Sequence, residues 1–330
     1  MAVRTGNRSW VFKIVGDHRV VMLLIPADVL RPRRPDEHFA DEARAAREAG
    51  IDVVLIDHGF TDAAEAVARV PDGVGDVVYR GWMFTAERYA ELAGALADRG
   101  AALRTGAAQY RQAHELPGWY DTAAAVTPRT TWTTGDDLAG FREACVALGG
   151  GPAVLRDWTK SMKHYWHEAA YIPDTGDTAA AWTVASRFRE LRGDDFTGGF
   201  VLRAYEQFQG AEVRTWWLAG ECRLVTAHPD TPDDLPPADV DLSAVAGPLR
   251  ELSLPFVTAD LTRHQDGRWR LVEIGDGQVS DRPRSTPPEA LIEALRSWTP
   301  FGAEVGAGSI SNSGTGPSHQ PQPDPGPERV

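Results

Sequence analysis

Three acidic residues near the carboxyl end of the chain have types and a spacing that could do chemistry. Asp260 ends one strand-like run, Glu273 lies in the next, and Asp276 follows that second run. If Asp260 and Glu273 face each other across a ladder, their repulsion costs about 0.2–1 kcal/mol unless a cation lies between them. Magnesium takes up such oxygen-rich surroundings together with a substrate's phosphates. The three carboxylates therefore predict a magnesium site, and the alternative is an exposed hairpin whose acids face water.

The turn between the two runs predicts the register that brings Asp260 opposite Glu273. Asp266–Gly267 favours a tight two-residue hairpin turn. In that turn Gln265 faces Arg268, and counting outward in antiparallel register pairs the two carboxylates. The like charges would then meet on one face of the hairpin.

Cations of an unusual type cluster in residues 154–168. The chain has 34 lysines and arginines, of which only Lys13, Lys160 and Lys163 are lysines. Two of these three lie in one block, close to Arg156. Lysine meets phosphate as a compact point charge, so a retained lysine indicates a phosphate contact. Chance clustering in a solvated loop is the alternative.

Composition narrows the classes of function. A formal charge of −13 and a sequence pI near 5.2 argue against a protein that holds nucleic acid by its overall field. Cys145 and Cys222 are the two cysteines, far apart, which predicts no disulfide framework and favours the cytoplasm. The first ten residues lack a signal-peptide pattern, and the apolar run 20–25 is far short of the roughly 20 residues of a membrane helix. We expect no nucleic-acid and no membrane partner.

The first 126 residues alternate strand and helix patterns. Apolar strands are predicted at 20–25 and 51–56 with a helix at 35–49 between them, followed by a helix at 86–99 and a short strand at 101–104. This is a βαβ pattern, which predicts parallel strands in a small amino-terminal α/β domain. The strand ends carry no glycine-rich phosphate loop, so this part is not expected to be the nucleotide site by itself.

The second part, residues 127–301, is predicted to be α+β. A helix at 135–148 and a glycine-rich break lead to a strand at 153–156. A meander is then expected, with strands at 200–208, 212–218 and 221–226 before the carboxylate hairpin. Its first two strands carry Arg203 and Arg214, where each could contact phosphate or pair with a local acid. Residues 302–330 are rich in Gly, Ser and Pro and are predicted to be disordered.

Residues 127–295 resemble the ATP-grasp superfamily, and within it the clade with two arginines and one lysine in the nucleotide site. The resemblance is carried by the order and spacing of four motifs: Leu155–Ser161, Leu202–Glu206, Glu212–Arg214 and Leu271–Gln278. It implies two α+β subdomains with ATP between them, preceded by a small Rossmann-like α/β domain.

The resemblance also implies roles for the cationic residues and for one acid. Arg156 and Lys160 are similar to the basic contacts with the nucleotide phosphates, with Lys163 on the adjacent loop. Glu206 resembles the acid where adenine and ribose bind. The clade's two arginines, expected to act in catalysis, correspond to Arg203 and Arg214.

The metal ligands implied by the resemblance are Asp260 and Glu273, in agreement with the hairpin count. The chain departs from the family at Gly275, where many relatives have an asparagine that completes the metal site. Asp276 or a water is expected to take that place.

The expected function is an ATP- and magnesium-dependent carboxylate ligase. ATP and a carboxylate are both anionic, so their reaction needs metal and fixed cations to offset repulsion. The acylphosphate would be captured by an amine or similar nucleophile, with release of ADP and phosphate, and residues 161–167 would form a closing lid. A nucleotide-binding module without turnover and a kinase-like phosphotransferase are the alternatives. The acceptor and the oligomeric state stay open.

Overall fold

The computed structural model describes residues 22–298. Within this range twelve strands form three four-stranded sheets, with the orders β2-β1-β3-β4, β5-β8-β6-β7 and β10-β9-β11-β12. The first sheet is parallel and the other two are antiparallel. Lys13, the first ten residues and the predicted tail at 302–330 lie outside the described residues.

The first sheet bears out the predicted βαβ unit and adds a strand that the sequence reading missed. Its strands are β1 (Met22–Pro26), β2 (Asp52–Ile56), β3 (Gly75–Tyr79) and β4 (Ala101–Leu103). Its helices are α1 (Ala40–Glu48), α2 (Ala63–Ala66), α3 (Ala86–Asp98) and α4 (Ala107–His114). The unpredicted β3 pairs with β1 and extends the parallel sheet toward β4.

The middle sheet contains β5 (Thr130–Trp132), β6 (Ala153–Asp157), β7 (Tyr171–Ile172) and β8 (Phe200–Ala204). Helix α5 (Tyr120–Ala123) precedes it, and α6 (Leu138–Leu148) and α7 (Thr178–Arg192) pack against it. The predicted helix at 135–148 starts later because Asp137 caps it, accepting a hydrogen bond from the Gly140 backbone. It ends at Gly149, whose φ of 85° suits glycine at a helix end.

The third sheet contains β9 (Phe208–Leu218), β10 (Glu221–Ala227), β11 (Phe256–His264) and β12 (Trp269–Asp276). Helices α8 (Ser243–Glu251) and α9 (Pro288–Arg296) accompany it. Trp216 and Phe256 of this sheet share a buried cluster with Leu295 of α9 and Leu23 of β1. The third sheet therefore packs onto the amino-terminal sheet.

The predicted meander is wrong at its first strand. β8 pairs with β5 and β6 of the middle sheet, whereas β9 pairs with β10 and β11 of the third. The chain crosses between sheets at 205–207, and Gln209–Gly210, read as a turn, lie inside β9. Arg203 and Arg214 consequently belong to different sheets.

The predicted pairing of Asp260 with Glu273 is confirmed, although the predicted two-residue turn is wrong. The backbone N–H of His264 donates to Arg268 O (2.9 Å), so the connection has three residues and Gly267 adopts a φ of 87°. This shifts the register by one residue. A bulge that leaves Val272 without a partner on β11 shifts it back, so the two differences cancel at the carboxylates.

A buried ion pair joins the amino-terminal domain to the segment after β12. Arg80 donates to both carboxylate oxygens of Glu42 on α1, each at 2.9 Å. It also donates to the backbone oxygens of Gly277, Gln278 and Ser280 at 2.8–2.9 Å. The loop that follows β12 is thereby fixed against the first sheet. No helix within residues 22–298 is long and apolar enough to cross a membrane.

Candidate active site

A cavity of about 280 Å³ lies where the middle sheet, the third sheet and the amino-terminal domain meet. Its lining includes Lys160 and Lys163 from the loop after β6, Arg214 from β9, and His228 after β10. Further lining residues come from β11, from β12 and from the amino-terminal domain: Thr258, Asp260, Glu273, Gly275, Ser280, Met83 and His114. The cavity thus brings together most of the residues expected to bind phosphates and metal.

Asp260 is held by a two-point ion pair with Arg214. The two residues are directly opposite in the β9–β11 ladder, and Arg214 Nε and Nη2 each donate to the carboxylate at 2.8 Å. Asp260 is 3 % exposed. Burial alone would raise its pKa, but the charge and hydrogen bonds of Arg214 outweigh that effect and hold the pKa well below its usual range. Asp260 is therefore ionised, and it faces the cavity.

Glu273 connects the third sheet to the loop after β6. Arg156 Nη2 donates to Glu273 Oε1 at 2.8 Å and to the backbone oxygen of Thr159 at 2.7 Å. Burial would raise the pKa of Glu273, but Arg156 lowers it below its ordinary value. Since Arg156 is 5 % exposed, it acts first as an internal clamp between the two halves of the cavity.

Asp157 shapes the loop that presents Lys160. This fully buried carboxylate accepts the backbone N–H groups of Thr159 (2.8 Å) and Lys160 (2.6 Å) on one oxygen, and Arg192 Nε (2.8 Å) on the other. The turn aims Lys160 into the cavity, where burial lowers its pKa although Glu273 acts in the opposite direction. Lys160 has no ion-pair partner within residues 22–298.

Lys163 follows on the same loop and pairs with Asp230 across the cavity. This contact raises the pKa of Lys163, although burial opposes it. The lid expected at 161–167 contains a 3₁₀ turn at Lys163–Tyr165 and then a π-helical turn at Trp166–Ala170. The Lys163–Asp230 pair closes this loop onto the segment after β10.

His228 is a buried site residue that sequence reasoning missed. The Asp230 backbone N–H donates to its Nδ1 at 3.2 Å, so the neutral imidazole carries its proton on Nε2. Nε2 lies 3.4 Å from Asp260 Oδ2 and 3.7 Å from Glu212 Oε2. Glu212, His228 and Asp260 are the one group of three within residues 22–298 whose ligand atoms are close enough to share a metal. The tautomer makes His228 a donor to these carboxylates.

Comparison with known proteins identifies the fold around this cavity. Residues 147–295 match a family model described as an ATP-grasp domain, family 3 of its clade. The chain contains an ATP-grasp domain. Its two α+β halves are the middle and third sheets, and the cavity lies between them. No curated protein matches the sequence.

Solved structures extend the likeness beyond the matched residues. A RimK domain ATP-grasp protein from Sphaerobacter thermophilus has a TM-score of 0.56 at 19% identity, covering 83% of this chain and 99% of that chain. D-cycloserine synthetase DcsG has a TM-score of 0.54 at 22% identity, covering 83% and 99%. N5-Carboxyaminoimidazole synthetase from Staphylococcus aureus complexed with ADP has a TM-score of 0.54 at 13% identity, covering 84% and 78%. At these identities the likeness shows the ATP-grasp fold alone.

Asp276 stands apart from the other two carboxylates expected at the ATP-grasp metal site. Side chains alternate along a strand, so Asp276 faces away from Gly275. Its Oδ1 accepts the backbone and side-chain N–H groups of Gln278 at 2.9 and 3.1 Å, and its Oδ2 has no hydrogen-bond partner in the described range. Burial raises its pKa to about 7. The predicted set of three is thus reduced to Asp260 and Glu273, with Glu212 as the third acid nearby.

Arg203 does not line the cavity, and its partners are internal. It donates to the backbone oxygen of Val272, the bulged residue of β12, and to Thr127 Oγ1 at 2.7 Å. Burial lowers its pKa to about 10. Arg203 therefore supports the bulge that sets the position of Glu273, and its expected contact with phosphate stays a prediction.

Glu206 also lies outside the cavity. Both of its carboxylate oxygens accept hydrogen bonds from Arg270, at 2.7 and 2.9 Å. Arg270 in turn donates to the backbone oxygen of Thr127 at 2.7 Å. The expected contact of Glu206 with adenine and ribose stays a prediction, and it would compete with this pair.

The absence of a side chain at Gly275 matches the packing around it. A Cβ at this position would lie 3.2 Å from Thr258 Oγ1 and 3.3 Å from Ser280 Oγ. These two hydroxyls are hydrogen-bonded to each other at 2.7 Å and border the cavity. They occupy the space beside the position where many relatives have asparagine.

Proposed function

We propose that the protein is an ATP- and magnesium-dependent ligase that activates a carboxylate as an acylphosphate and transfers the acyl group to an amine or similar nucleophile. The observation that carries the proposal is the ion arrangement in the cavity of the ATP-grasp domain. Lys160, Lys163 and Arg214 face Asp260 and Glu273 across a space of about 280 Å³. A site of this kind suits polyphosphate, which needs both cations and metal-binding carboxylates.

The carboxylates present fit a magnesium ion. Asp260 and Glu273 are opposite each other on adjacent strands, and oxygen ligands are those that magnesium prefers. Within residues 22–298 Arg156 occupies one oxygen of Glu273, and Oε2 accepts no hydrogen bond. We therefore assign Asp260 and Glu273 as the metal-holding residues. When bound, magnesium would neutralise charge on the nucleotide phosphates.

The chain's own cations have separate tasks in this proposal. Lys160, with its one compact charge directed into the cavity, meets the terminal phosphates. Arg214 is fixed by Asp260 and offsets negative charge on the transferring phosphoryl group. Arg156 orients Glu273, and the 161–167 loop excludes water from the acylphosphate when Lys163 pairs with Asp230.

We further propose the cytoplasm as the compartment, because Cys145 and Cys222 are unpaired thiols. A nucleotide-binding module without turnover is the second candidate. It is favoured by Gly275, which removes a metal ligand that many relatives have, and by the complete pairing of Asp260 with Arg214.

Product analysis tests the reaction type. The protein is incubated with magnesium, ATP and panels of carboxylates and amines, and ADP and inorganic phosphate are measured separately. A ligase releases both in equal amounts, whereas a kinase-like enzyme releases ADP and leaves the phosphate on its acceptor. Equal release that depends on a carboxylate supports ligation. ADP without phosphate contradicts it.

A further inference from the structure

A second cavity, of about 510 Å³, adjoins the phosphate cavity. The two share four lining residues: Met83, His114, Thr159 and Lys160. The second cavity then runs between the start of α3 and the 194–198 segment after α7. A reaction that joins two substrates needs two binding spaces that meet at one point, and these cavities meet beside Lys160.

The walls of the second cavity are apolar at the junction and acidic beyond it. Met83, Phe84 and Phe196 supply the apolar surface. The acidic residues of the lining are Glu87, Glu115, Asp194 and Asp195, and its cations are Lys160 and Arg192. The chemical class of a ligand follows from how many of these charges are already paired.

The cations of the lining are committed elsewhere. Arg192 Nε pairs with the buried carboxylate of Asp157 at 2.8 Å, and Lys160 also faces the phosphate cavity. Within residues 22–298, Asp194 and Asp195 form no ion pair. The carboxylates are therefore in excess.

Glu115 is the most enclosed of these acids, with 13% of its side chain exposed. Its ion-pair partner in the described range is Arg111 at 3.8 Å, and Arg111 is bound more closely by Glu87, at 2.6 Å. Burial raises the pKa of Glu115, as expected for a carboxylate with weak compensation. A ligand ammonium would complete its pairing.

His114, at the carboxyl end of α4, marks the junction of the two cavities. Its ring stacks on Tyr110 with the planes 12° apart and the centroids 5.3 Å apart, which fixes its position. Neither ring nitrogen has a hydrogen-bond partner within residues 22–298. Burial and the nearby Lys160 lower the pKa of His114 to about 4, so the imidazole is neutral and available as a hydrogen-bond partner.

We infer that the second cavity binds the acceptor, and that the acceptor is a small primary amine carrying a second cationic group. The cationic group pairs with Glu115 and Asp194, while the reacting amine extends past His114 toward Lys160. This inference rests on the proposed ligase function and names its acceptor class.

The transfer step balances with this acceptor. The ammonium loses one proton, and the nitrogen attacks the acyl carbon, forming a C–N bond as the C–O bond to phosphate breaks. The nitrogen loses a second proton as the amide forms. One proton goes to the departing phosphate, which leaves as hydrogen phosphate, and the other goes to solvent.

Calorimetric titration with 1,4-diaminobutane as the probe tests the inference. The full chain is titrated with and without magnesium and a non-hydrolysable ATP analogue, and 1,4-butanediol is the uncharged control. We expect saturable one-to-one binding of the diamine and none of the diol. Glu115→Gln with Asp194→Asn should weaken diamine binding about tenfold or more, whereas the exposed control Glu91→Gln should leave it unchanged.

The outcomes separate this inference from the proposed function. Diamine binding that is absent, unsaturable or equally weakened by Glu91→Gln overturns the acceptor assignment, even if the nucleotide analogue binds. Failure of the nucleotide analogue to bind contradicts the ligase proposal, while the titration without nucleotide still decides whether the cavity is a cation site. Circular dichroism of each variant confirms that a loss does not come from unfolding.

Discussion

Arg156 Nη2 lies 2.8 Å from Glu273 Oε1 and joins the two halves of the ATP-grasp domain across the cavity. Arg156 is on β6 of the middle sheet and Glu273 is on β12 of the third. One contact therefore couples the loop that carries Lys160 to the strand that carries a proposed metal ligand. Rearrangement of either sheet would be felt at the phosphate site.

Glu273→Gln should abolish magnesium-dependent binding of ATP. The amide keeps the shape and an oxygen, but it removes the charge that balances magnesium and Arg156. Affinity for a non-hydrolysable ATP analogue is measured by calorimetry with and without magnesium, and Glu221→Gln on the surface of β10 is the matched control. Undiminished magnesium-dependent binding in the Glu273 variant would exclude it as a metal ligand.

Lys160→Ala should weaken ATP more than ADP. A lysine that meets the terminal phosphate loses its main contact when that phosphate is absent, and one charged hydrogen bond is worth about 1.5–3 kcal/mol. The ratio of the two dissociation constants, wild type against variant, is the readout. An equal loss for both nucleotides would place Lys160 at an inner phosphate instead.

Arg80→Ala should destabilise the protein by about 3–5 kcal/mol, because it leaves the buried carboxylate of Glu42 without its main partner. The loop after β12 would also lose the three hydrogen bonds that Arg80 donates to it. Urea unfolding measures the effect. The surface variant Arg44→Ala, whose ion pairs are exposed, should change stability by less than about 1 kcal/mol.

Asp276→Asn should stabilise the protein at pH 8 relative to pH 5. The folded pKa of about 7 is above the ordinary value of 3.8, so between these pH values the folded state binds more protons than the unfolded state. Its contribution to stability therefore falls as the pH rises, by at most about 1.4 kcal/mol per pH unit. Urea unfolding midpoints of wild type and variant at several pH values give the difference. A difference that does not change with pH would contradict the raised pKa.

The hairpin shows how far sequence reasoning carried the site. Asp266–Gly267 correctly indicated a tight turn, and the carboxylates do face each other. The three-residue connection and the bulge at Val272 were not visible in residue types, because a bulge depends on its surroundings, here on Arg203 below it. The correct pair came from two offsetting register shifts.

Other parts of the site depend on long-range contacts that no local pattern contains. His228 and Glu212 are brought to Asp260 by strand pairing within the third sheet, and His114 comes from the amino-terminal domain. Strand periodicity predicted β8 and β9 but could not assign them to different sheets. Lysine usage, in contrast, pointed directly to the loop after β6.

The central claim is that the cavity beside Lys160, Asp260 and Glu273 binds ATP with magnesium. The most direct test is calorimetric titration of the full chain with a non-hydrolysable ATP analogue, with and without magnesium, and with the corresponding GTP analogue as control. We predict one-to-one binding that requires magnesium and prefers adenine. Absence of binding in both conditions would contradict the claim and leave the ATP-grasp domain as a fold without its nucleotide.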